Sequence, residues 1–374
     1  MKSSKFFQAA ITVIAVITVS CTKQSETIKL GLLGPLTGDA AQWGVPARNG
    51  ALLAVEEINK AGGVNGKKID LFVEDDKCEP RDGTTAIRKL IDNDKVIGVI
   101  GAVCSSVTLA VAPIAEQSKT LLISPASTNP KITDAGDYIF RVIPTDALRG
   151  KVFAEYLKKD VGVSKIAILY INNEGGLGNK EVFENIFKSL GGEVLIVESY
   201  AQGTNDVRSQ LAKIKKSSAE ALMIVSYPED TIIVLKQIVE VGIKIPLYFQ
   251  TEAVEDPNVL RIASTAAENV TYILPAAASG TAAIEFRQKY KDKFQVDPPL
   301  FAAEAYDAAY LIAKACEAVK KDKIDGTSLK SFLYTVKDFD GASGRISFDT
   351  NGDVIKPMAI KKIQGGTGVV IATI

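Results

Sequence analysis

Histidine is absent from the 374 residues, which removes the commonest general base, the usual hydrolase triads and the usual catalytic metal sites together. The chain therefore reads as a protein that is not an enzyme, with no catalytic residue, no metal and no cofactor assigned. "GGLG" at residues 175–178 is a poor fragment of a dinucleotide fingerprint and gives no reason to add one. Charge of either sign in excess is missing too, since 44 Lys and Arg stand against 44 Asp and Glu. Removing Lys2 and Lys5 with a leader leaves 42 basic against 44 acidic side chains, a formal charge of −2. No electrostatic footprint for nucleic acid follows from that balance. No apolar run is long enough to span a membrane, because Phe6 to Val19 covers about fourteen residues where roughly twenty are needed. No Gly/Ser-rich or Pro-rich linker divides the chain.

What is present is an average globular composition, 47% hydrophobic and 24% charged, in a chain long enough for two domains or two lobes. Lys2 and Lys5 before the apolar stretch mark residues 1–20 as a secretory signal. Val19-Ser20-Cys21 resembles the lipobox of bacterial lipoproteins, with Thr18 where leucine is usual. That resemblance implies an acylated Cys21, a tether over residues 21–27 and a mature protein anchored to a bacterial membrane on its periplasmic or other extracytoplasmic side.

From Ile28 onward, strand and helix signals alternate. "IKLGLL", "KKIDLFVE" and "VIGVIGAV" read as strands, the last buried on both faces, and helices are predicted over Pro46 to Ala61 and Asp82 to Asn93. The second half repeats the pattern with "KIAILY", a helix from Gly178 to Leu190, "GEVLIVES", a helix from Asp206 to Lys216, and "EALMIVSY". Two stretches offset by about 124 residues share the order strand, polar link, helix, strand. Later pieces are "LYFQ", "VTYILP", helices over residues 281–294 and 301–320, and paired short strands near 345–348 and 357–373. The fold class is α/β, with two doubly wound parallel-sheet lobes built from discontinuous segments.

Ligands of such sheets bind beyond the carboxyl ends of the strands, where helix N-termini aim free N–H groups outward. Five loops are so placed: "GPLTGDAAQWG", "GAVCSS", "SPASTNP", "NNEGGLG" and "QTEAVED". Ser105 is either the N-cap of its own helix or an anion contact at that helix N-terminus. Of the four cysteines, Cys316 sits among alanines on a helix and reads as a small buried hydrophobe. Cys78 and Cys104 fall at one sheet edge and, in an exported protein, read as a disulfide.

These stretches, together with "GALLAVEEINKAGGVNGKKI", "DDKCEP" and "IAILYINNEGGLGN", resemble the leucine/isoleucine/valine-binding proteins of ABC transporters, over nearly all of residues 28–365. The resemblance implies the type I periplasmic binding protein fold, two lobes joined by three crossovers, with residues 28–143 and 277–349 in the first lobe and 144–276 and 350–374 in the second. It also implies the Cys78–Cys104 disulfide, capture of a small amino-acid-like solute in the interlobe cleft, and delivery to permease and ATPase subunits by a monomer. Carried over by position, a ligand carboxylate would meet Ser105, Ser127 and Thr128, the Ala126 carbonyl and Glu252 would face an ammonium group, and Trp43, Tyr227 and Phe301 would wall the side chain. Gly175 replaces the family's usual aromatic residue, which leaves the ligand open among a branched-chain or aliphatic amino acid, the first choice, a bulkier amino acid, an amide and a small carboxylate. The same fold also serves as a ligand-sensing module with a signalling partner, although no DNA-binding, kinase or membrane-spanning segment is read in this chain.

Overall fold

The computed structural model describes residues 27–319 and 323–374. The signal over residues 1–20, Cys21 and the predicted helix end at 320 lie outside the described residues. Fourteen strands and eleven α-helices follow one another: β1 (Ile28–Gly34), α1 (Ala41–Lys60), β2 (Ile69–Asp75), α2 (Pro80–Arg88), β3 (Gly98–Ile100), α3 (Ser105–Ser118), β4 (Leu121–Ser124), β5 (Ile139–Arg141), α4 (Asp146–Glu155), β6 (Lys165–Ile171), α5 (Glu174–Ser189), β7 (Glu193–Tyr200), α6 (Arg208–Lys216), β8 (Ala221–Val225), α7 (Pro228–Val241), β9 (Leu247–Phe249), α8 (Pro257–Ala263), β10 (Thr271–Pro275), α9 (Thr281–Phe294), α10 (Ala302–Ala318), α11 (Gly326–Leu333), β11 (Phe339–Gly341), β12 (Gly344–Ile346), β13 (Met358–Gln364) and β14 (Thr367–Thr373).

The apolar runs pair as two large sheets, with β11 and β12 as a separate antiparallel pair. β2-β1-β3-β4-β5 form one, wholly parallel, and β14-β13-β10-β9-β8-β6-β7 the other. Strands without a polar alternation, such as Leu121 to Ile123 and Ala221 to Val225, are buried on both faces, as parallel sheets covered by helices require. The second sheet is mixed, because β13 pairs antiparallel with both β10 and β14. Gly365 and Gly366, at φ 60° and 77°, close β13 and β14 into a tight hairpin, a connection that only an antiparallel pair accepts. α10 returns to the first sheet, where it packs against α1 and β3.

Two helices begin four or five residues earlier than their sequence suggests. α1 starts at Ala41 and contains Pro46, and α5 starts at Glu174 with the Asn173 side chain accepting from the Gly176 N–H at 2.8 Å. Glycines normally punctuate loops, yet Gly44 lies inside a helix because a Cβ there would fall 1.8 Å from the Pro35 carbonyl oxygen. Close approach, and not a turn, accounts for that glycine. The lobes are clamped at the hinge by Arg141, fully buried at the end of β5, whose Nε lies 2.5 Å from Asp353 between β12 and β13. Its Nη1 donates to the Asn129 carbonyl at 2.9 Å and its Nη2 to Thr133 at 2.6 Å. Arg141 thus ties two of the passages between sheets to each other.

Candidate functional site

The carboxyl ends of both sheets face one narrow cavity, with about 30 Å³ open to water, lined by Trp43, Val103, Ser105, Ala126, Thr128, Arg149, Gly175, Asn179, Tyr227, Thr251, Glu252 and Phe301. Seven of the eight ligand residues expected from sequence are among these; Ser127 is not. Its fully buried hydroxyl donates to the Ala102 and Val103 carbonyls at 3.1 and 3.0 Å, so it braces the loop beneath Ala126 and Thr128. Glu252 and Phe301 also border a wider recess, with about 260 Å³ open to water, on the hinge side.

Ser105 is the first residue of α3, and Cys104, in extended conformation, precedes it without a capping hydrogen bond. The N-cap reading of Ser105 is thereby excluded. Its hydroxyl accepts the Asn129 N–H at 3.3 Å, leaving its own proton free at a helix N-terminus, which is a place suited to an anion. The disulfide joins Cys78 to Cys104 with 5.5 Å between their Cα atoms, fixing the loop that aims α3. Cys316 is buried, and burial pushes its thiol up to about 12.

Trp43, on the first turn of α1, stands edge-on to Tyr227 at 4.6 Å and to Phe301 at 5.7 Å between ring centroids. Such pairs add about 0.5–1.5 kcal/mol beyond their buried area. Trp43 follows β1 of the first sheet and Tyr227 follows β8 of the second, so this contact spans the cleft. Phe301 holds a left-handed φ of 68°, a conformation uncommon for a bulky residue and one that concentrates at ligand sites.

Gly175 has a different meaning here from the one its sequence position implied. It lies on the first turn of α5, and a Cβ would come within 2.7 Å of the Tyr227 hydroxyl. Tyr227 therefore takes up much of the space that the glycine leaves.

The acidic side of the cavity also differs from a lone carboxylate. Glu252, 4% exposed, receives the Arg149 Nη1 at 2.8 Å. Arg149, 2% exposed, lies between Glu252 and Asp146, whose Oδ1 is 4.0 Å from its Nε. Asp146 is fully buried and accepts from Thr128 at 2.9 Å and Asn179 at 2.8 Å. Burial pushes its carboxyl up to about 6, against the lowering pull of Arg149 and the Thr128 bond. The Thr128 hydroxyl thus gives its proton to Asp146. Arg149 and Asn179 were not among the residues singled out from sequence, although one signal was available. Asp146, Arg149, Val152 and Phe153 share the buried side of α4, and a charge on that side is unusual unless it is paired.

Two α/β lobes closing on an enclosed, polar-tipped aromatic cavity define a cleft-type binding protein. The family profile described as periplasmic binding protein matches residues 27–367, and the chain belongs to that solute-binding family. A leucine-, isoleucine-, valine-, threonine- and alanine-binding protein of Pseudomonas aeruginosa is 32% identical, over 90% of this chain and 89% of its own length. A leucine-binding protein of Thermotoga maritima superposes with a TM-score of 0.87 at 27% identity, covering 93% of this chain and 99% of that one. An ABC-transporter solute-binding protein of Rhodopseudomonas palustris, in complex with 3,4-dihydroxybenzoic acid, superposes with a TM-score of 0.82 at 28% identity, covering 93% and 97%. The fold is the type I periplasmic binding protein fold. No helix among the described residues is long and apolar enough to cross a membrane.

Proposed function

We propose that the chain is the extracytoplasmic capture component of an ABC importer, holding a small amino-acid-like carboxylate between its lobes and passing it unchanged to permease and ATPase subunits. It breaks no bond. The observation that carries this reading is the enclosed cavity in which the α3 N-terminus with Ser105 faces the aromatic group Trp43, Tyr227 and Phe301. A carboxylate suits the helix N-terminus, and an apolar body suits the rings. Relatives named for leucine and its neighbours, and one holding an aromatic acid, share that chemistry. Branched-chain and aliphatic skeletons come first, with Ala126, Thr128 and Glu252 lining the polar end. Residues 28–143 and 277–349 form one lobe in this reading, and 144–276 and 350–374 the other. Residues 1–20 are removed on export, and a lipidated Cys21 tethers a monomer to the membrane.

Calorimetry and thermal unfolding of the purified protein against amino acids, amides and small carboxylates test the reading. A solute of this class at 100 times its dissociation constant should add about 2.7 kcal/mol to stability by mass action. Ser105→Ala should weaken binding of the same solute. A panel that leaves the melting temperature unmoved, or turnover of any solute, refutes the proposal.

A further inference from the structure

Hydrogen-bond bookkeeping in the cavity is lopsided. Among its lining side chains, the buried polar atoms without a hydrogen bond are three donors, Trp43 Nε1 and Arg149 Nε and Nη2, against one acceptor, Asn179 Oδ1; Arg149 Nε faces the Asp146 Oδ1 at 4.0 Å, which leaves Trp43 Nε1 and Arg149 Nη2 as the donors open to a solute. The Asn179 orientation is set by its Nδ2, which already donates to Asp146 and to the Gly175 carbonyl. Orphaned buried donors are costly, most of all on a charged group, and a ligand acceptor placed against them recovers that cost.

Arg149 also occupies Oε2 of Glu252 at 2.8 Å. A guanidinium beside Glu252 supplies the positive charge that a ligand ammonium would otherwise bring. An ammonium in the same place would set N–H donors against N–H donors and a second cation beside the first. A carbonyl oxygen on carbon 2 of the solute is an acceptor, carries no positive charge, and suits Nη2 of Arg149, whose Nε faces the Asp146 Oδ1 at 4.0 Å.

We infer that Arg149 is a specificity-determining residue, and that within the class of small apolar carboxylates this cleft prefers 2-oxo acids over the amino acids of the same carbon skeleton. The inference rests on the reading that the cleft holds a carboxylate at the α3 N-terminus. The solute's carboxylate lies at Ser105, its 2-oxo oxygen faces Arg149, and its branched body meets the three aromatic rings.

Matched pairs test this with the purified protein: 4-methyl-2-oxopentanoate against leucine, and 3-methyl-2-oxobutanoate against valine, by titration calorimetry. The oxo acid should bind about ten-fold or more tightly than its amino acid, the ratio that one charge-assisted hydrogen bond gained or lost produces. Arg149→Gln, checked for folding by circular dichroism, should lower that ratio about ten-fold, chiefly by weakening the oxo acid. The wild-type comparison stands by itself should the variant fold poorly. Amino acids binding as tightly as the oxo acids, or tighter, overturn the inference and leave the capture function standing, as does a folded Arg149→Gln with an unchanged ratio. Failure of all four solutes together with the wider carboxylate panel overturns the capture reading itself.

Discussion

The Arg149–Glu252 pair offers a stability prediction whose size follows from its geometry. Both side chains are nearly excluded from solvent and meet at 2.8 Å. At an effective dielectric near 20, two unit charges at that distance attract by roughly 6 kcal/mol, most of it offset by the cost of drying both groups. Removing one partner keeps the drying cost of the other, so Arg149→Met or Glu252→Gln alone should cost about 3–5 kcal/mol. The double variant should cost less than the sum of the two by about 3 kcal/mol, since Arg149 and Glu252 no longer strand each other, although Asp146 still loses its cation. The Arg149→Met penalty has a pH signature as well, because that substitution also removes the charge that pulls the Asp146 carboxyl down from its burial-raised position. The Asp146 carboxyl then takes up its proton more readily as pH falls, so the penalty should be smaller at pH 5 than at pH 8. Urea unfolding followed by far-ultraviolet circular dichroism, without added solute, measures all four corners of the cycle. Single penalties below about 1 kcal/mol that add in the double variant would refute the reasoning, because that is how exposed ion pairs behave.

Three further outcomes follow from single sites. Replacing Cys78 and Cys104 by serine should cost about 3.5 kcal/mol for a loop of 26 residues in the chain-entropy model, and should also weaken solute binding because Ser105 adjoins Cys104; equal urea midpoints would contradict this. Asp230 is pushed up to about 7 by burial, with Asp39 and Glu229 adding to the rise; its stability contribution is present below its ordinary value near 4 and lost as pH rises through 7, so Asp230→Asn should melt higher than wild type at pH 8 and converge with it toward pH 4, and a gap independent of pH would rule this out. Gly175→Ala places a Cβ 2.7 Å from the Tyr227 hydroxyl and should cost about 1–3 kcal/mol in the closed form, seen as weaker binding in calorimetry; Tyr227→Phe in the same chain should restore part of the loss, and an unaltered dissociation constant would show that the ring moves freely.

The strands were legible from sequence because apolar runs such as residues 121–123 and 221–225 must be buried on both faces, and a chain alternating such runs with helical spacing has few ways to do that. The cleft followed from topology, since the loops after β1, β3, β4, β6 and β9 all end on one side. Helix starts were harder to read. Gly44, Gly175 and Gly176 suggest loops by composition, yet Gly44 is demanded by the Pro35 carbonyl and Gly176 by the Ile171 carbonyl, 1.9 Å from where its Cβ would be. The partners of charged residues were not legible at all. Arg149 meets Glu252 across 103 positions and Arg141 meets Asp353 across 212, and sequence spacing carries no record of such pairings. Sequence spacing therefore gave no sign of Arg149, the cation that the fold sets against Glu252.

That difference bears on how the lobes close. At the hinge, Arg141 and Asp353 are buried and locked into a network with Thr133 and Asn129, which favours two stiff bodies over a soft chain. At the rim, the ties are weak. Lys131–Glu174 is an exposed pair, with side chains 59% and 43% accessible, of a kind worth about 1 kcal/mol or less, and Gln42 to Glu229 is an exposed hydrogen bond. Asp39 opposes the ionised Asp230 nearby. Mutual attraction at the rim is thus too small to hold the cleft shut on its own terms. The larger unspent terms lie inside, in the unpartnered donors of Arg149 and Trp43. A solute that accepts from them while its body fills the aromatic wall stabilises this arrangement of the cleft more than the rim contacts do.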